Sequence, residues 1–213
     1  MRKHHIIIII CIVVLFATCV AISAVLLSYF FRPLQEHEMR RALETVSKAL
    51  NDASIPFFLT DGTALGAHRE NKFIEHDVDV DLGVFEKNAT ITQIVTALQK
   101  CGISVHRQYD SEVTVKIGRC PVDIFIYRHK YGNTYECFTY DSVCKTHPKN
   151  RCVYEGTFSL EKIKFYEKIY NIVDKSYLVQ AYGNDWHVPK KFSYTEGVKN
   201  KYYHHLISHP EVE

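Results

Sequence analysis

Three aspartates at alternate positions are the first feature of this chain that could do chemistry. Asp77, Asp79 and Asp81 alternate with valines in the stretch DVDVD. Alternate side chains of a strand lie on the same face, and residues two apart are separated by about 6.6 Å along it. The pattern predicts a strand over residues 78–85 whose carboxylates lie close enough to share one hard cation or a close pair of cations.

The other face of this strand is apolar, and we expect Val78 to point inward with Val80, Leu82 and Val84. The acidic face could simply be solvated. However, Asp is a poor strand former, no Lys or Arg interrupts the run, and carboxylates this close repel one another. Mg²⁺ or Mn²⁺, which take oxygen ligands, would relieve the repulsion, so a metal site is the favoured interpretation.

Asp123 is a further acidic residue in an otherwise apolar segment, VDIFIY at residues 122–127. A carboxylate buried without a partner would be costly. If this segment is a strand beside the first one, Asp123 supplies a third metal ligand. The alternative is an ion pair between Asp123 and a Lys or Arg.

A possible phosphate-binding turn precedes the acidic strand. Gly62 and Thr63 stand before a short helix-like stretch, where Gly permits close backbone approach and N–H groups at a helix start bind phosphate. Arg69 and Lys72 follow in the chain and could hold phosphate oxygens. A plain turn and solvated charges are the alternatives.

The elements that must position these residues follow from apolar periodicity. We expect helices over 34–52, 64–69, 90–101 and within 174–182, with Asp61-Gly62-Thr63 as a turn. We expect strands over 55–60, 78–85, 103–109, 112–118 and 122–128, and a loop-like segment over 133–155 with room for a hairpin. This order predicts an α+β fold, a mixed sheet with flanking helices.

The N-terminus predicts a membrane anchor. Residues 6–31 carry no charged side chain, and a helix of that length is roughly 39 Å long, against a hydrocarbon core of about 30 Å. Arg2 and Lys3 precede it, which favours a cytoplasmic tail at 1–5 and a lumenal remainder. A cleaved signal peptide is the alternative, but its apolar region is usually only about 7–15 residues long.

A lumenal location would allow disulfide formation and glycosylation. Five cysteines lie outside the span: Cys101, Cys120, Cys137, Cys144 and Cys152. An oxidising lumen predicts two disulfides and one free thiol among them, with the pairing left open. Asn88-Ala89-Thr90 is an N-glycosylation sequon, and the alternative is that Asn88 or Thr90 caps a helix.

Composition excludes several classes. The formal net charge is only +2, which argues against a nucleic-acid partner, because such proteins carry a basic face. With 46% hydrophobic and 23% charged residues, the chain is typical of a globular protein.

The stretch GTALGAHRENKFIEHDVDVDLGVF resembles the LicD/fukutin family, whose pattern reads roughly GTLLGxxRxxxFIPWDDDIDI. The positions in register are Gly62, Thr63, Leu65, Gly66, Arg69, Phe73, Ile74, Asp77, Asp79 and Asp81. VDIF at 122–125 is similar to the family's later acidic strand, and YL at 177–178 with YGNDWHVP at 182–189 is similar to its YL…YGxxW…P signature. The three motifs follow in order over about residues 40–190.

The resemblance implies a nucleotidyltransferase-like domain over 53–190, after a stem at 32–52 and before a tail at 191–213. It implies metal-dependent transfer of a phosphorylated alcohol, of the ribitol phosphate or phosphocholine type, from a CDP-linked donor to a glycan or glycoprotein hydroxyl, with release of CMP. The metal ligands would be Asp79, Asp81 and Asp123, with Asp77 as a helper or base. The implied location is the Golgi or endoplasmic reticulum membrane, with the catalytic domain lumenal.

The pattern is not matched throughout, because Val78 stands where the family has a second consecutive Asp and Glu75-His76 where it has Pro-Trp. With so short a stem, acceptor recognition could require another glycosyltransferase as partner. Two other functions stay open: a catalytically degenerate lumenal module that binds a glycan or a partner glycosyltransferase, and a nucleotidyltransferase that uses a nucleoside triphosphate.

Overall fold

The computed structural model describes residues 12, 14–25, 34, 36–75, 77–140, 151–190 and 206–207. The chain divides into two units, Met1–Pro33 and Leu34–Glu213. In the first unit, residues 14–25 are helical. Across the described parts of the chain, no helix has both the length and the apolar character that a membrane crossing requires. Half of the predicted anchor at 6–31 lies outside the described residues, so the anchor stays a prediction.

The second unit contains four helices and ten strands within its described residues. The helices are α1 (Glu36–Asp52), α2 (Asp61–Glu70), α3 (Ile91–Lys100) and α4 (Lys175–Tyr182). The strands are β1 (Phe58–Leu59), β2 (Val80–Phe85), β3 (Val105–Gln108), β4 (Glu112–Ile117), β5 (Cys120–Tyr131), β6 (Thr134–Tyr140), β7 (Arg151–Thr157), β8 (Leu160–Phe165), β9 (Lys168–Val173) and β10 (Leu206–Ile207).

These strands form one mixed sheet. Its order is β10-β7-β6-β5-β2-β1-β9-β8, and the β3–β4 hairpin joins through β4, which pairs with β5. The β2–β5 and β1–β9 pairs are parallel, whereas β1–β2, β4–β5 and β5–β6 are antiparallel. The predicted α+β fold with a mixed sheet and flanking helices is therefore confirmed.

The first helix follows the predicted apolar stripe. Met39, Leu43, Val46 and Leu50 recur at helical spacing on α1, and all four are buried. This stripe packs α1 against α3 and the central strands, while α2 contacts β2 and α4. The helices thus support the strands that carry the acidic residues.

Three expectations about elements were wrong. Strand β2 begins at Val80, where its pairing with β5 begins at Val122, so Val78 precedes the strand and is 65% exposed instead of buried. Helix α2 begins at Asp61, so the expected turn at Asp61-Gly62-Thr63 is helical. The described part of the segment expected to be loop-like over 133–155 is largely strand, and the antiparallel pairing of β6 with β7 agrees with the hairpin for which the sequence left room.

The expectation of two disulfides is also wrong. Cys101, Cys120 and Cys137 are free thiols. Only Cys144 and Cys152 remain of the five, and the side chains of both lie outside the described part of the chain.

Candidate active site

Strands β2 and β5 bring the predicted metal ligands together. Because the two strands are parallel and in register, Asp81 stands directly beside Asp123. Asp79 comes just before the first residue of β2. One carboxylate oxygen from each of the three residues lies within 4.8 Å of those of the other two. We call Asp79, Asp81 and Asp123 the carboxylate triad.

The start of α2 lies against the triad because β1 runs antiparallel to β2. The N–H of Thr60 donates to the backbone carbonyl of Asp81 at 3.3 Å, and the chain then enters α2 at Asp61. Asp61 itself has a φ of 43°, a left-handed conformation that makes this sharp entry possible. The sequence thus places the first turn of a helix beside the acidic end of β2.

Thr63 fixes the position of Asp81 from this first turn. The N–H of Asp81 donates to Oγ1 of Thr63 at 2.9 Å, and the N–H of Thr63 donates to Oδ2 of Asp81 at 3.4 Å. These two hydrogen bonds restrain both the backbone and the carboxylate of Asp81, which is 8% exposed.

Gly62 leaves room for two of the carboxylates. A Cβ at this position would lie 3.0 Å from Oδ2 of Asp77 and 3.2 Å from Oδ2 of Asp81. Any larger residue would press on the oxygens that a ligand would use. Gly62 therefore has a steric role in the site that follows from its missing side chain.

Asp77 joins the site from the loop before β2 and not from the strand. Its Oδ1 accepts from the N–H of Val78 at 3.0 Å, while Oδ2 is buried without a hydrogen-bond partner among the described residues. Burial raises the pKa of Asp77 to about 6. A buried oxygen with unused lone pairs is a natural position for a proton or a cation.

The surroundings of the triad disfavour the charged form of each of its carboxylates. Burial, and then the charge of Asp77, raise the pKa of Asp79 to about 7. Burial and the neighbouring Asp79 hold the pKa of Asp81 well above its ordinary value. Burial also raises the pKa of Asp123, although a hydrogen bond from the Thr114 hydroxyl opposes the shift. Positive charge brought among these groups would be strongly favoured.

These observations fit a divalent cation. The donors are all carboxylate oxygens, which suit hard cations such as Mg²⁺ and Mn²⁺, and their mutual repulsion would be relieved by the charge of the ion. Gly62 leaves room beside Asp81, and the unsatisfied oxygen of Asp77 lies next to the same glycine, so both observations favour an ion close to the triad. The residues best placed to hold an ion are those of the carboxylate triad.

A network of hydroxyl groups behind the triad was not found from the sequence. The hydroxyl of Tyr177 donates to Oδ1 of Asp61 at 2.6 Å and lies 3.1 Å from the hydroxyl of Tyr127. The Tyr127 hydroxyl in turn lies 2.7 Å from Oγ1 of Thr60. Burial raises the pKa of Asp61, against the opposing hydrogen bond from Tyr177. One signal was available, because Tyr127 stands four residues after Asp123 and so on the same face of β5.

Arg107 was also missed. Its Nη2 lies 2.5 Å from Oε1 of Glu112 and 3.7 Å from Oδ1 of Asp123. No sequence motif marks this residue, because only the pairing of β3, β4 and β5 brings it near Asp123.

The two predicted phosphate ligands lie at the other end of α2. Arg69 and Lys72 form ion pairs with Glu70 at 3.0 and 3.2 Å. At about 1.5 Å of rise per residue, Arg69 is roughly 9 Å along the helix from Thr63. A role for Arg69 and Lys72 in phosphate binding stays a prediction.

The sequon lies at the start of α3. Thr90 is the N-cap of this helix and forms a capping box with Gln93, in which the N–H of Thr90 donates to Oε1 of Gln93 at 2.9 Å. The helix-capping interpretation of Thr90 is therefore confirmed. Glycosylation of Asn88 stays a prediction.

Comparison with known proteins identifies the class. Residues 54–172 match the family described as LicD/FKTN/FKRP, nucleotidyltransferase domain, and the chain belongs to this family. The matched region begins before β1 and ends within β9, so it contains the carboxylate triad and the first turn of α2.

Particular relatives can then be named. The chain is 28% identical over 160 residues to the ribitol-5-phosphate transferase FKTN of Macaca fascicularis, and 27% identical over 160 residues to that of Homo sapiens. Each alignment covers 71% of this chain and 34% of the relative. The chain thus spans about a third of the length of the curated relatives it matches.

A solved structure supports the fold. The solution structure of the antibiotic-resistance factor ANT(2'')-Ia aligns with 80% of this chain and 83% of its own, with a TM-score of 0.51 and 12% sequence identity. The likeness is one of fold alone. Together with the family, it identifies the mixed sheet and its helices as a nucleotidyltransferase-like fold.

Proposed function

We propose that this protein is a phosphotransferase that moves a phosphorylated alcohol, of the ribitol phosphate or phosphocholine type, from a CDP-linked donor to a glycan hydroxyl. The observation that carries the proposal is the convergence of Asp79, Asp81 and Asp123 beside the first turn of α2, within the family-matched region. The matching relatives are named ribitol-5-phosphate transferases, which favours ribitol phosphate as the group transferred.

The triad would hold one or two Mg²⁺ or Mn²⁺ ions. Such an ion, when bound, would offset the charge of the donor diphosphate and of the departing CMP. The chain supplies the position: Asp81 is held by Thr63, Asp123 is held by Thr114, and Gly62 leaves room beside the carboxylates. The N–H groups at the start of α2 would orient the donor phosphates.

The transfer step is a substitution at phosphorus. The oxygen of the acceptor hydroxyl forms a new bond to the phosphorus that carries the alcohol, and the bond from that phosphorus to the bridging oxygen of the diphosphate breaks. CMP leaves with the electron pair of the broken bond. Asp77, whose Oδ2 is the buried oxygen described above, accepts the proton of the hydroxyl. Positioning and electrostatics supply most of the rate.

The cellular location is part of the proposal. The uncharged segment 6–31 would anchor the protein in the Golgi or endoplasmic reticulum membrane, with the domain lumenal. Glycosylation at Asn88 would report this orientation. Digestion of the expressed protein with an N-glycosidase should shift its electrophoretic mobility, and an Asn88→Gln variant should show no shift. Access of an added protease to the domain in sealed microsomes would contradict the lumenal orientation.

The activity is tested with the full chain in detergent. CMP release is measured from CDP-ribitol and CDP-choline, with and without a glycan acceptor, in the presence of Mg²⁺ or Mn²⁺. We expect release that depends on the metal ion and rises with the acceptor, and a new phosphodiester on the glycan by mass spectrometry. Metal-independent glycan binding without release would favour a degenerate binding module. Pyrophosphate release from a nucleoside triphosphate would favour a nucleotidyltransferase reaction.

A further inference from the structure

A row of four side chains crosses the sheet at the level of the triad. Asp81 of β2 pairs with Asp123 of β5, Asp123 pairs with Thr114 of β4, and Thr114 pairs with Arg107 of β3. Residues that stand directly opposite one another in neighbouring strands lie on the same face of the sheet. Arg107 therefore lies on the same face as the carboxylates of Asp81 and Asp123, at the β3 end of the row.

The side chain of Arg107 extends back along this row towards the triad. Strands are separated by about 4.8 Å, so the backbone of Arg107 lies roughly 10 Å from that of Asp123. Its Nη2 nevertheless lies 3.7 Å from Oδ1 of Asp123. The charge of Arg107 also opposes the raised pKa of Asp79 and of Asp123. The guanidinium is thus a positive group at the edge of the carboxylate triad.

A buried residue holds the guanidinium there. Oε1 of Glu112, a residue that is only 1% exposed, lies 2.5 Å from Nη2. The Arg107 side chain itself is 43% exposed, so a ligand can approach it from solvent. Both ion pairs of Arg107 use Nη2, and its guanidinium carbon lies 5.6 Å from the centre of the Tyr109 ring. Because a guanidinium carries five N–H donors, donors remain for a bound anion.

From this arrangement we propose that Arg107 binds the diphosphate of the nucleotide-linked donor, beside the cation held by the triad. The inference rests on the proposed function and names the residue that recognises the charged part of the substrate. A cation at the triad offsets the charge that attracts Arg107 to Asp123, and the diphosphate replaces Asp123 as its partner. A planar guanidinium suits two phosphate oxygens at once.

The test measures binding of CDP, inorganic pyrophosphate and cytidine to the full chain by calorimetry in Mg²⁺. For Arg107→Ala we expect the affinity for CDP and pyrophosphate to fall roughly ten- to a hundredfold, the usual effect of removing a hydrogen bond to a charged group. Binding of cytidine should not change. Arg107→Lys should restore part of the affinity, because the charge remains but the paired donors do not.

Two further variants separate binding from folding. Arg107→Ala removes an ion-pair partner of the buried Glu112 and could destabilise the domain. The double variant R107Q/E112Q replaces both charges by amides and should show the same loss of CDP affinity. Arg128→Ala is the matched control, because Arg128 also lies on a strand, pairs with Glu86 at 3.3 Å and stacks on an aromatic ring, that of Phe138. It should bind CDP like the wild type.

The salt dependence of CDP affinity distinguishes a residue that binds phosphate from one that only stabilises the fold. CDP affinity should fall with ionic strength in the wild type and fall less steeply in Arg107→Ala. If Arg107→Ala binds CDP and pyrophosphate as tightly as the wild type does, the inference is overturned, whereas the proposed transferase function is unaffected. A wild-type protein that binds neither probe with Mg²⁺ or Mn²⁺ would also overturn it, and CMP release would then decide separately whether the proposed function stands.

Discussion

Thr63 and Asp81 exchange two hydrogen bonds, one in each direction, between the first turn of α2 and the acidic end of β2. The residues are far apart in sequence, yet each uses a backbone N–H to bond to the side chain of the other. Asp81 is therefore held in position independently of any bound ion. This pre-organisation is the structural basis of the proposed site.

The hydroxyl of Thr63 is the first part to test. Thr63→Val keeps the shape of the side chain but leaves the buried N–H of Asp81 without its acceptor. We expect a loss of about 1–3 kcal/mol in the free energy of unfolding and at least a tenfold loss of CMP release. Thr96→Val is the control, since the Thr96 hydroxyl bonds only within an exposed part of α3. Unchanged activity in Thr63→Val would show that Asp81 needs no support from α2.

Gly62 allows stability and activity to be separated. Gly62→Ala favours helix formation by up to about 1 kcal/mol, but its Cβ would press on the oxygens of Asp77 and Asp81. We expect an intact fold with a metal affinity reduced tenfold or more. Gly102→Ala should lower the free energy of unfolding but leave metal affinity unchanged. Gly102 has open space around it and a φ of +73°, which Ala tolerates poorly. Normal metal binding by Gly62→Ala would remove the steric role given to this residue.

The hydroxyl of Tyr177 connects the C-terminal signature to the site. Tyr177→Phe removes the hydrogen bond to Asp61 and should lower the free energy of unfolding by about 1–3 kcal/mol. Tyr131→Phe is the comparison, because Tyr131 is 64% exposed and should change stability little. Chemical denaturation of both variants measures the difference. Equal stabilities would mean that the buried network contributes nothing.

The raised pKa values predict how stability depends on pH without metal. Burial raises the pKa of Asp77 to about 6 and, together with the charge of Asp77, that of Asp79 to about 7, from an ordinary value of 3.8. Between about pH 4 and 7 the folded protein therefore keeps protons that the unfolded chain has released. By linkage, its stability falls as the pH rises through this window.

Thermal unfolding of the metal-free full chain checks this sign. We expect a lower Tm at pH 7.5 than at pH 5, by several degrees, and recovery at pH 7.5 on adding Mg²⁺ or Mn²⁺. Asp79→Asn should raise the metal-free Tm at pH 7.5, because it removes one of the repelling charges. A Tm that rises with pH in the absence of metal would contradict the assignment of these carboxylates as a strained cluster.

The sequence was sufficient to predict the triad for a physical reason. Alternation in the stretch DVDVD puts Asp79 and Asp81 on one face, and the apolar neighbours of Asp123 imply a buried strand beside it. Val78 was misassigned because alternation alone does not show where pairing with a neighbour begins. The hydrogen bond from Tyr177 to Asp61 does not follow from the sequence, because Asp61-Gly62-Thr63 has the composition of a turn and Asp61 instead begins a helix.

Residues brought in by strand register could not be predicted. Arg107 reaches Asp123 only because β3 pairs with β4 and β4 with β5 in one particular register. Residues 133–155 contain cysteines and polar residues, which favours a loop with room for a hairpin, whereas their described part is mostly the paired strands β6 and β7. Pairing partners decide these features, and apolar periodicity carries no information about them.

The most direct test of the site is metal-dependent CMP release by the triad variants. CMP release from CDP-ribitol is measured against Mn²⁺ concentration for the wild type, Asp79→Asn, Asp81→Asn and Asp123→Asn, with calorimetry of Mn²⁺ binding alongside. Asp52→Asn, at the exposed end of α1, is the control. We expect saturable activity in the wild type and the control, and in the triad variants losses of at least a hundredfold together with weakened Mn²⁺ binding. Folded triad variants that release CMP at the wild-type rate would contradict this expectation.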